Sequence, residues 1–462
     1  MSHMSFAAQT KPQRTPARRD GFYLVLLGAL VFLLFGITFE NSSSVGMVDF
    51  GVIYFPARTL LHHADPYSES AVLETFHSQN ADRIWNIPRE QQFMTRFGYP
   101  PPTIAVVAPV AMLPWVPAHM VWMALNAACM IFAAFLMWTL CADQAPVLAG
   151  MLIGFFLANC QAMTVLGNAA GIAVGLCVIA AWCLITNRHA FLGVACLAVS
   201  LALKPHIAWM VWVYFLLAGG LFRKRALQSA GLVALISLPA VAWVDRVAPD
   251  WFSEMRSNLA WFSGPGGPCD PSPASGGSHG MDMLVNLQAV LSLFRDDPRF
   301  YQPVTYIFVA ALILIWIWIT LRRPATPRNA WFALASISAI SVLPFYHHVH
   351  DAKLILLALP GTFMLLVETK HIGRVAFSIT ALAFICTGDL VWTVAFILMR
   401  FLPPPTTWLG GQIFLAFQIF PAPLAILTLG AFYLWVYARV AHIEGTEAHR
   451  LEQIKLASQA VS

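Results

Sequence analysis

The chain has 462 residues, 59% of them apolar and 11% charged, with a formal net charge of +5. A soluble globular domain carries about 45–50% apolar and about 25% charged residues. With a mean hydropathy of +0.69, a soluble enzyme, a nucleic-acid binder and a disordered scaffold are all excluded.

Apolar runs long enough for a helix to cross ~30 Å of hydrocarbon recur along the chain. A barrel would show ~10-residue alternating segments instead, so the fold class is all-α polytopic membrane protein. A cytoplasmic tail, 1–20, carries Lys11, Arg14, Arg18 and Arg19 ahead of the first run, Gly21–Phe39. That run is long for a signal peptide and no A-x-A site follows it, so it reads as a first span. An outer loop of about 40–115 comes next, with helix-like stretches at Val52–Leu61 and Ala71–Phe76. Spans then follow at Pro117–Leu140, Val147–Met163, Gly171–Ile185, Ala190–Leu203, Ile207–Phe222 and Leu227–Val244. A second outer loop of about 245–303 holds Trp251, Phe252, Trp261 and Phe262, which suit a helix lying at headgroup level. Its later part, Gly264 to His279, is rich in Gly, Pro and Ser. The last spans are Val304–Leu321, Trp331–Tyr346, Leu354–Val367, Val375–Leu398 and Leu409–Val436, within an integral domain of 21–440, and a tail of 441–462 ends the chain.

Thr103–Leu113 is apolar but only eleven residues long, bounded by Pro102 and Pro114, too short for an ordinary span. If it crosses, Arg223–Arg225 and every later basic loop fall outside. If it does not, all five basic clusters fall inside, as cytoplasmic loops require. The expectation is twelve spans with both termini cytoplasmic and Thr103–Leu113 in or along the outer leaflet. Eight cysteines, six of them inside apolar runs, form no disulfide or metal pattern.

The outward connections then hold the unusual polar groups. Asp49 follows the first span; an ionisable group there is either functional or a cap of the helix that follows. Lys204, beside Pro205 and His206, is either a snorkelling lysine or part of an anion site at a helix N-terminus. His347, His348, His350 and Asp351 form the densest titratable cluster, open to a metal, a phosphate or sugar contact, or a simple cap by Asp351. Tyr99, before three prolines, is a turn residue or a sugar platform. Asn168 is a turn residue or a hydrogen-bonding ligand.

Asp49, Tyr54-Phe-Pro-Ala-Arg58, Asp65-Pro66-Tyr67, Tyr99-Pro-Pro-Pro102, Gly167-Asn168 and Lys204-Pro205 occur in that order. This order resembles glycosyltransferase family 87, the polyprenol-phosphate-mannose-dependent mannosyltransferases and arabinofuranosyltransferases. Where many relatives have Gly-Gln-x-Asn, this chain has Gly167-Asn168-Ala169-Ala170. The resemblance implies the C-type glycosyltransferase fold and an inverting transfer of a sugar, mannose first, from a polyprenyl-phosphate donor to a glycolipid or glycan hydroxyl. It makes Asp49 the catalytic base. Donor phosphate would meet Lys204, His206, His347, His348, His350, Arg58 and Arg256; acceptor or sugar would meet Tyr54, Tyr99, Asn168 and Asp351. No metal cofactor is expected, the partners are the lipid-linked sugar, the acceptor and membrane lipids but no nucleic acid, and the site faces the exterior of a bacterial inner membrane. The alternatives are a lipid or glycan flippase and a non-catalytic assembly protein. The sequence does not name the oligomeric state.

Overall fold

A computed structural model describes residues 16–42, 46–79, 88–272, 284–389, 407 and 421–439. Every regular element among them is helical, apart from one antiparallel bridge between Leu284 and His348. The N-terminal half contains α1 (Pro16–Ser42), α2 (Val48–Leu61), α3 (Glu69–Ser78), α4 (Pro88–Thr95), α5 (Pro101–Ala111), α6 (Trp115–Cys141), α7 (Pro146–Leu157), α8 (Gln161–Val165) and α9 (Ala170–Ile185). After these come α10 (Ala190–Leu203), α11 (Pro205–Ala218), α12 (Gly220–Val247), α13 (Trp251–Ser263), α14 (Leu287–Ser292), α15 (Pro298–Arg322) and α16 (Pro327–Ile340). A 3₁₀ helix (Asp351–Ala358) leads into α17 (Leu359–Glu368) and α18 (Lys370–Cys386), and α19 covers Pro421–Arg439.

Among the described residues six helical stretches are long and apolar enough to cross a bilayer: Pro16–Asn41, Trp115–Cys141, Pro146–Val165, Gly220–Val247, Pro298–Arg322 and Pro421–Arg439. Twelve were expected. The apolar helices α9, α10 and α11 have 16, 14 and 14 residues, short of the ~20 that a straight span needs. Backbone breaks shorten them: Pro205 separates α10 from α11, and the 3₁₀ stretch interrupts the run read as Leu354–Val367. The expected spans Val375–Leu398 and Leu409–Val436 lie partly, and the tail 441–462 wholly, outside the described residues. Arg223, Lys224 and Arg225 belong to the first turns of α12 rather than to a loop.

Packing follows composition. α9 is apolar on all sides and buried on nearly all of them, the mark of a central helix. α1 lies directly on α7 because a Cβ added at Gly28 would overlap the Gly154 backbone and one at Gly150 the Gly21 backbone; small residues let apolar helices approach this closely. α12 and α15 instead leave large apolar side chains outermost, such as Leu238 at 71% and Ile307 at 72% exposure, surfaces that hydrocarbon would cover.

The two long loops, expected on the outer side, fold onto one another. Asn258 of α13 donates to the Tyr67 and Phe97 carbonyls at 3.2 and 3.1 Å, and Arg96 lies 5.0 Å over the Trp261 ring. The short apolar stretch is α5, packed against α2, α10 and α12. Thr103 at its start donates to the Leu203 carbonyl at 3.1 Å, beside Lys204.

Candidate active site

α2 begins with its backbone already engaged. The Met47 N–H donates to the Val165 carbonyl at 2.7 Å, and those of Asp49 and Phe50 to Leu166 at 2.9 and 3.3 Å. The helix starts at Val48 and has no side-chain cap, so Asp49 does not cap a helix. Its carboxylate accepts the Asn168 amide instead, Nδ2 to Oδ2 at 2.7 Å.

Asn168 is held in a turn that suits only glycine at its first position. Gly167 has φ +66°, and a Cβ there would meet Met47 Sδ and Phe50 Cβ at 2.8 Å. The Trp122 indole donates to the Gly167 carbonyl at 2.7 Å, and Phe50 stacks on Trp122 with centroids 4.9 Å apart. Asn168 Oδ1 takes two donors, the Ala170 N–H at 2.8 Å and the Lys204 ammonium at 3.0 Å. The oxygen is therefore fixed, and the amide nitrogen must face Asp49.

Lys204 ends α10 and precedes Pro205, the first residue of α11. At 3% exposure it turns inward and does not snorkel. Its ammonium also donates to Asp351 Oδ1 at 2.5 Å. The other oxygen of Asp351 meets His347 Nδ1 at 3.2 Å and the His348 N–H at 3.3 Å, and Asp351 makes no cap bond to the 3₁₀ helix that it opens. The second long loop secures this segment: Val285 donates to His347 at 2.8 Å, Leu287 to Leu343 at 3.0 Å and the Gln288 amide to Pro344 at 2.8 Å.

The electrostatics sort these groups. Burial lifts Asp49 to about 6, against the opposing pull of Asn168 and Lys204. Burial would raise Asp351 too, but Lys204, His350 and His347 hold it well below the usual carboxylate range. Burial keeps the His350 imidazole well below its ordinary value. Burial, then the fields of Asp49 and Asp351, push the Tyr99 phenol up.

Two nitrogens without a hydrogen-bond partner lie beside the Lys204 cluster. His347 Nε2 and His206 Nε2 are buried and unbonded, their rings 5.0 Å apart. Lys204 has two acceptors for its three protons among the described residues. Ligand atoms of His206, His347 and Asp351 lie within 4.8 Å of one another, near enough to hold a metal. A divalent ion there would stand against the Lys204 ammonium, which already occupies Asp351, so the set fits an anion better.

The remaining residues singled out from the sequence are placed differently. His348 stacks on His350 at 5.3 Å, with Cys269 Sγ 3.9 Å from His348 Nε2. The Tyr54 hydroxyl donates to the Leu113 carbonyl at 2.9 Å, and Arg58 Nη1 to Ala111 and Leu113 at 2.9 and 2.8 Å. These two side chains close the C-terminal end of α5 and do not join the cluster. Arg256 is exposed on α13. Sequence reasoning missed Lys353, 1% exposed, whose ammonium donates to the Asn159 and Thr387 carbonyls at 2.6 and 2.5 Å. An ammonium inside the apolar run 352–359 was the signal that could have found it.

No curated protein and no solved structure matches the chain. The family model of glycosyltransferase family 87 matches residues 97–345, which take in Tyr99, Asn168, Lys204 and His206 and lie between Asp49 and His347.

Proposed function

The chain belongs to glycosyltransferase family 87, and from that premise we propose that it moves a sugar from a polyprenyl-phosphate donor to a glycolipid or glycan hydroxyl, with inversion at the anomeric carbon. The observation that carries this reading is the hydrogen-bonded line from a carboxylate to a buried ammonium: Asp49, Asn168, Lys204, Asp351 and His347. The flippase alternative gives way to the family membership.

In this mechanism Asp49 accepts the proton of the acceptor hydroxyl as the oxygen attacks the anomeric carbon. The bond from that carbon to the phosphate oxygen breaks, and the electron pair leaves with the polyprenyl phosphate. A phosphodiester monoanion thereby becomes a phosphomonoester dianion. The free N–H of Lys204 and the Nε2–H tautomer of His206 supply donors where that charge develops, and His347, whose Nδ1 donates to Asp351, adds a third from Nε2 in its imidazolium form. Lys204 supplies the fixed positive charge, and no metal is required. Tyr99, buried within the fields of both carboxylates, contacts the sugar. The isoprenoid lies along α5 and the neighbouring apolar helices.

The fold in this reading is the C-type one, with twelve membrane passages, both termini in the cytoplasm and the site at the exterior of a bacterial inner membrane. The excess of basic residues at 223–225, 322–328 and 370–374 supports that orientation. Cysteines introduced as Ser275→Cys and Ala325→Cys test it: only the first should react with an impermeant reagent from outside. The activity test uses purified protein in nanodiscs with radiolabelled polyprenyl-phosphomannose and a glycolipid extract as acceptor. Label should move to the acceptor. Absence of transfer and of donor hydrolysis with mannose, arabinofuranose, glucose and galactose donors alike would overturn the reading.

A further inference from the structure

Asn168 is 5% exposed and uses each atom of its amide on a different partner. Oδ1 accepts from Ala170 at 2.8 Å and Lys204 at 3.0 Å, while Nδ2 donates to Asp49 Oδ2 at 2.7 Å. We propose that Asn168 is a positioning residue rather than a sugar ligand: it holds one oxygen of Asp49, leaves the other for the acceptor hydroxyl, and ties the base to the lysine of the anion pocket. This rests on the reading of Asp49 as base.

The geometry makes the assignment specific. An amide whose oxygen is committed to an ammonium and a backbone N–H has no freedom to flip, so Asp49 always meets a donor and never an acceptor. Oδ2 of Asp49 is thereby occupied, and the proton from the substrate goes to Oδ1. Asn168 also joins the two halves of the reaction, because one planar group touches both the carboxylate that gains a proton and the ammonium that faces the leaving phosphate. The charged and titratable groups facing Asp49 from neighbouring elements are Lys204 between α10 and α11, Asp351 at the start of the 3₁₀ helix, and Tyr99 before α5. Of these Lys204 favours the carboxylate and Asp351 opposes it, while the Asn168 bond favours it.

Asn168→Asp separates this role from a structural one. The new Oδ1 keeps the bonds from Ala170 and Lys204, and only the contact with Asp49 changes, from a donor to a second carboxylate oxygen. Two carboxyls at this distance share a proton, so the one that must be ionised titrates higher. The expected result is an acidic limb of kcat/KM, near pH 6 in the unchanged protein, that moves up by more than about one unit, with activity recovered as the pH is raised. Asn168→Ala loses all three bonds; it should move the limb up by about 0.5–1 unit, the worth of one hydrogen bond, and lower the melting temperature. A readout without substrate is infrared titration of the protonated carboxyl band that disappears in Asp49→Asn. That band should follow the same shifts.

If Asn168 served only the turn, Asn168→Asp would be the milder variant and its pH profile would overlay the original; that outcome removes the proposal and leaves Asp49 as base. A profile of the unchanged protein that is flat through pH 6, with Asp49→Asn fully active, removes the base reading itself.

Discussion

Two buried lysines, Lys353 within the 3₁₀ helix and Lys204 bonded to Asp351 at its start, have surroundings that differ in kind. Lys353 gives its protons to the main-chain carbonyls of Asn159 and Thr387, and the neighbouring Asp389 accepts from the Ala162 N–H at 2.7 Å. Lys204 gives its protons to side chains, Asn168 and Asp351, and stands among nitrogens that have no partner. Native interiors leave few buried polar groups unpaired. Each ammonium has two acceptors among the described residues, so the contrast lies in the company: main-chain carbonyls around Lys353 fasten helices, whereas the unbonded Nε2 atoms of His206 and His347 beside Lys204 are positions for a ligand.

The strongest way to break this comparison is at its acidic end. Asp49→Asn keeps size and helical position but removes the proton acceptor, so transfer should fall by about 10²–10⁴ with donor affinity and melting temperature preserved. A folded variant that transfers at the original rate would cancel the assignment. The two lysines give the next effect. Lys353→Met should lower stability by about 2–6 kcal/mol, since it leaves two carbonyls without their donor, yet turnover per folded molecule should stay within about twofold. Lys204→Met should weaken binding of polyprenyl-phosphomannose as well as slow transfer; if it only lowers the melting temperature, the two clusters are alike. A milder effect comes from acid. Because the base must be ionised, kcat/KM should fall about tenfold per unit below its pKa, which burial puts at about 6 for Asp49. A limb near 4 would mean that the carboxylate is more solvated than its surroundings imply. The smallest expected effect is that of a chelator: transfer should persist in excess EDTA, because Lys204 already supplies the positive charge. Loss of activity restored by one specific divalent ion would reassign His206, His347 and Asp351 as ligands.

The spans were legible where apolar runs are long, and the helix starts where proline stands first, as at Pro146, Pro205 and Pro327. Asp49 and Lys204 were also legible, because an ionisable group in an apolar setting is costly and so conspicuous. Their partners were not. Asp49 meets Asn168 across 119 residues, and Lys204 meets Asp351 across 147; such pairings depend on how α2, α10 and the 3₁₀ helix pack. The capping alternatives for Asp49 and Asp351 were local arguments: at α2 the Leu166 carbonyl had already taken the donors, and at the 3₁₀ helix the Asp351 carboxylate is taken by Lys204 and His347. Arg58 has the charge that a phosphate needs, yet the carbonyls that end α5 lie nearer. Six long apolar helices stand among the described residues where twelve spans were expected, because hydropathy registers apolar length but not the bends at Lys204 and at Asp351.

Residues 166–168 grip Asp49 twice, by its N–H through the Leu166 carbonyl at 2.9 Å and by its carboxylate through the Asn168 amide at 2.7 Å. One tripeptide thus fixes both ends of a side chain that has only two torsions. Rotamer freedom that an unrestrained aspartate would surrender at each turnover is here lost once, when the chain folds. The acceptor hydroxyl consequently meets an oxygen already aimed, and the ordering entropy of the base drops out of the activation barrier.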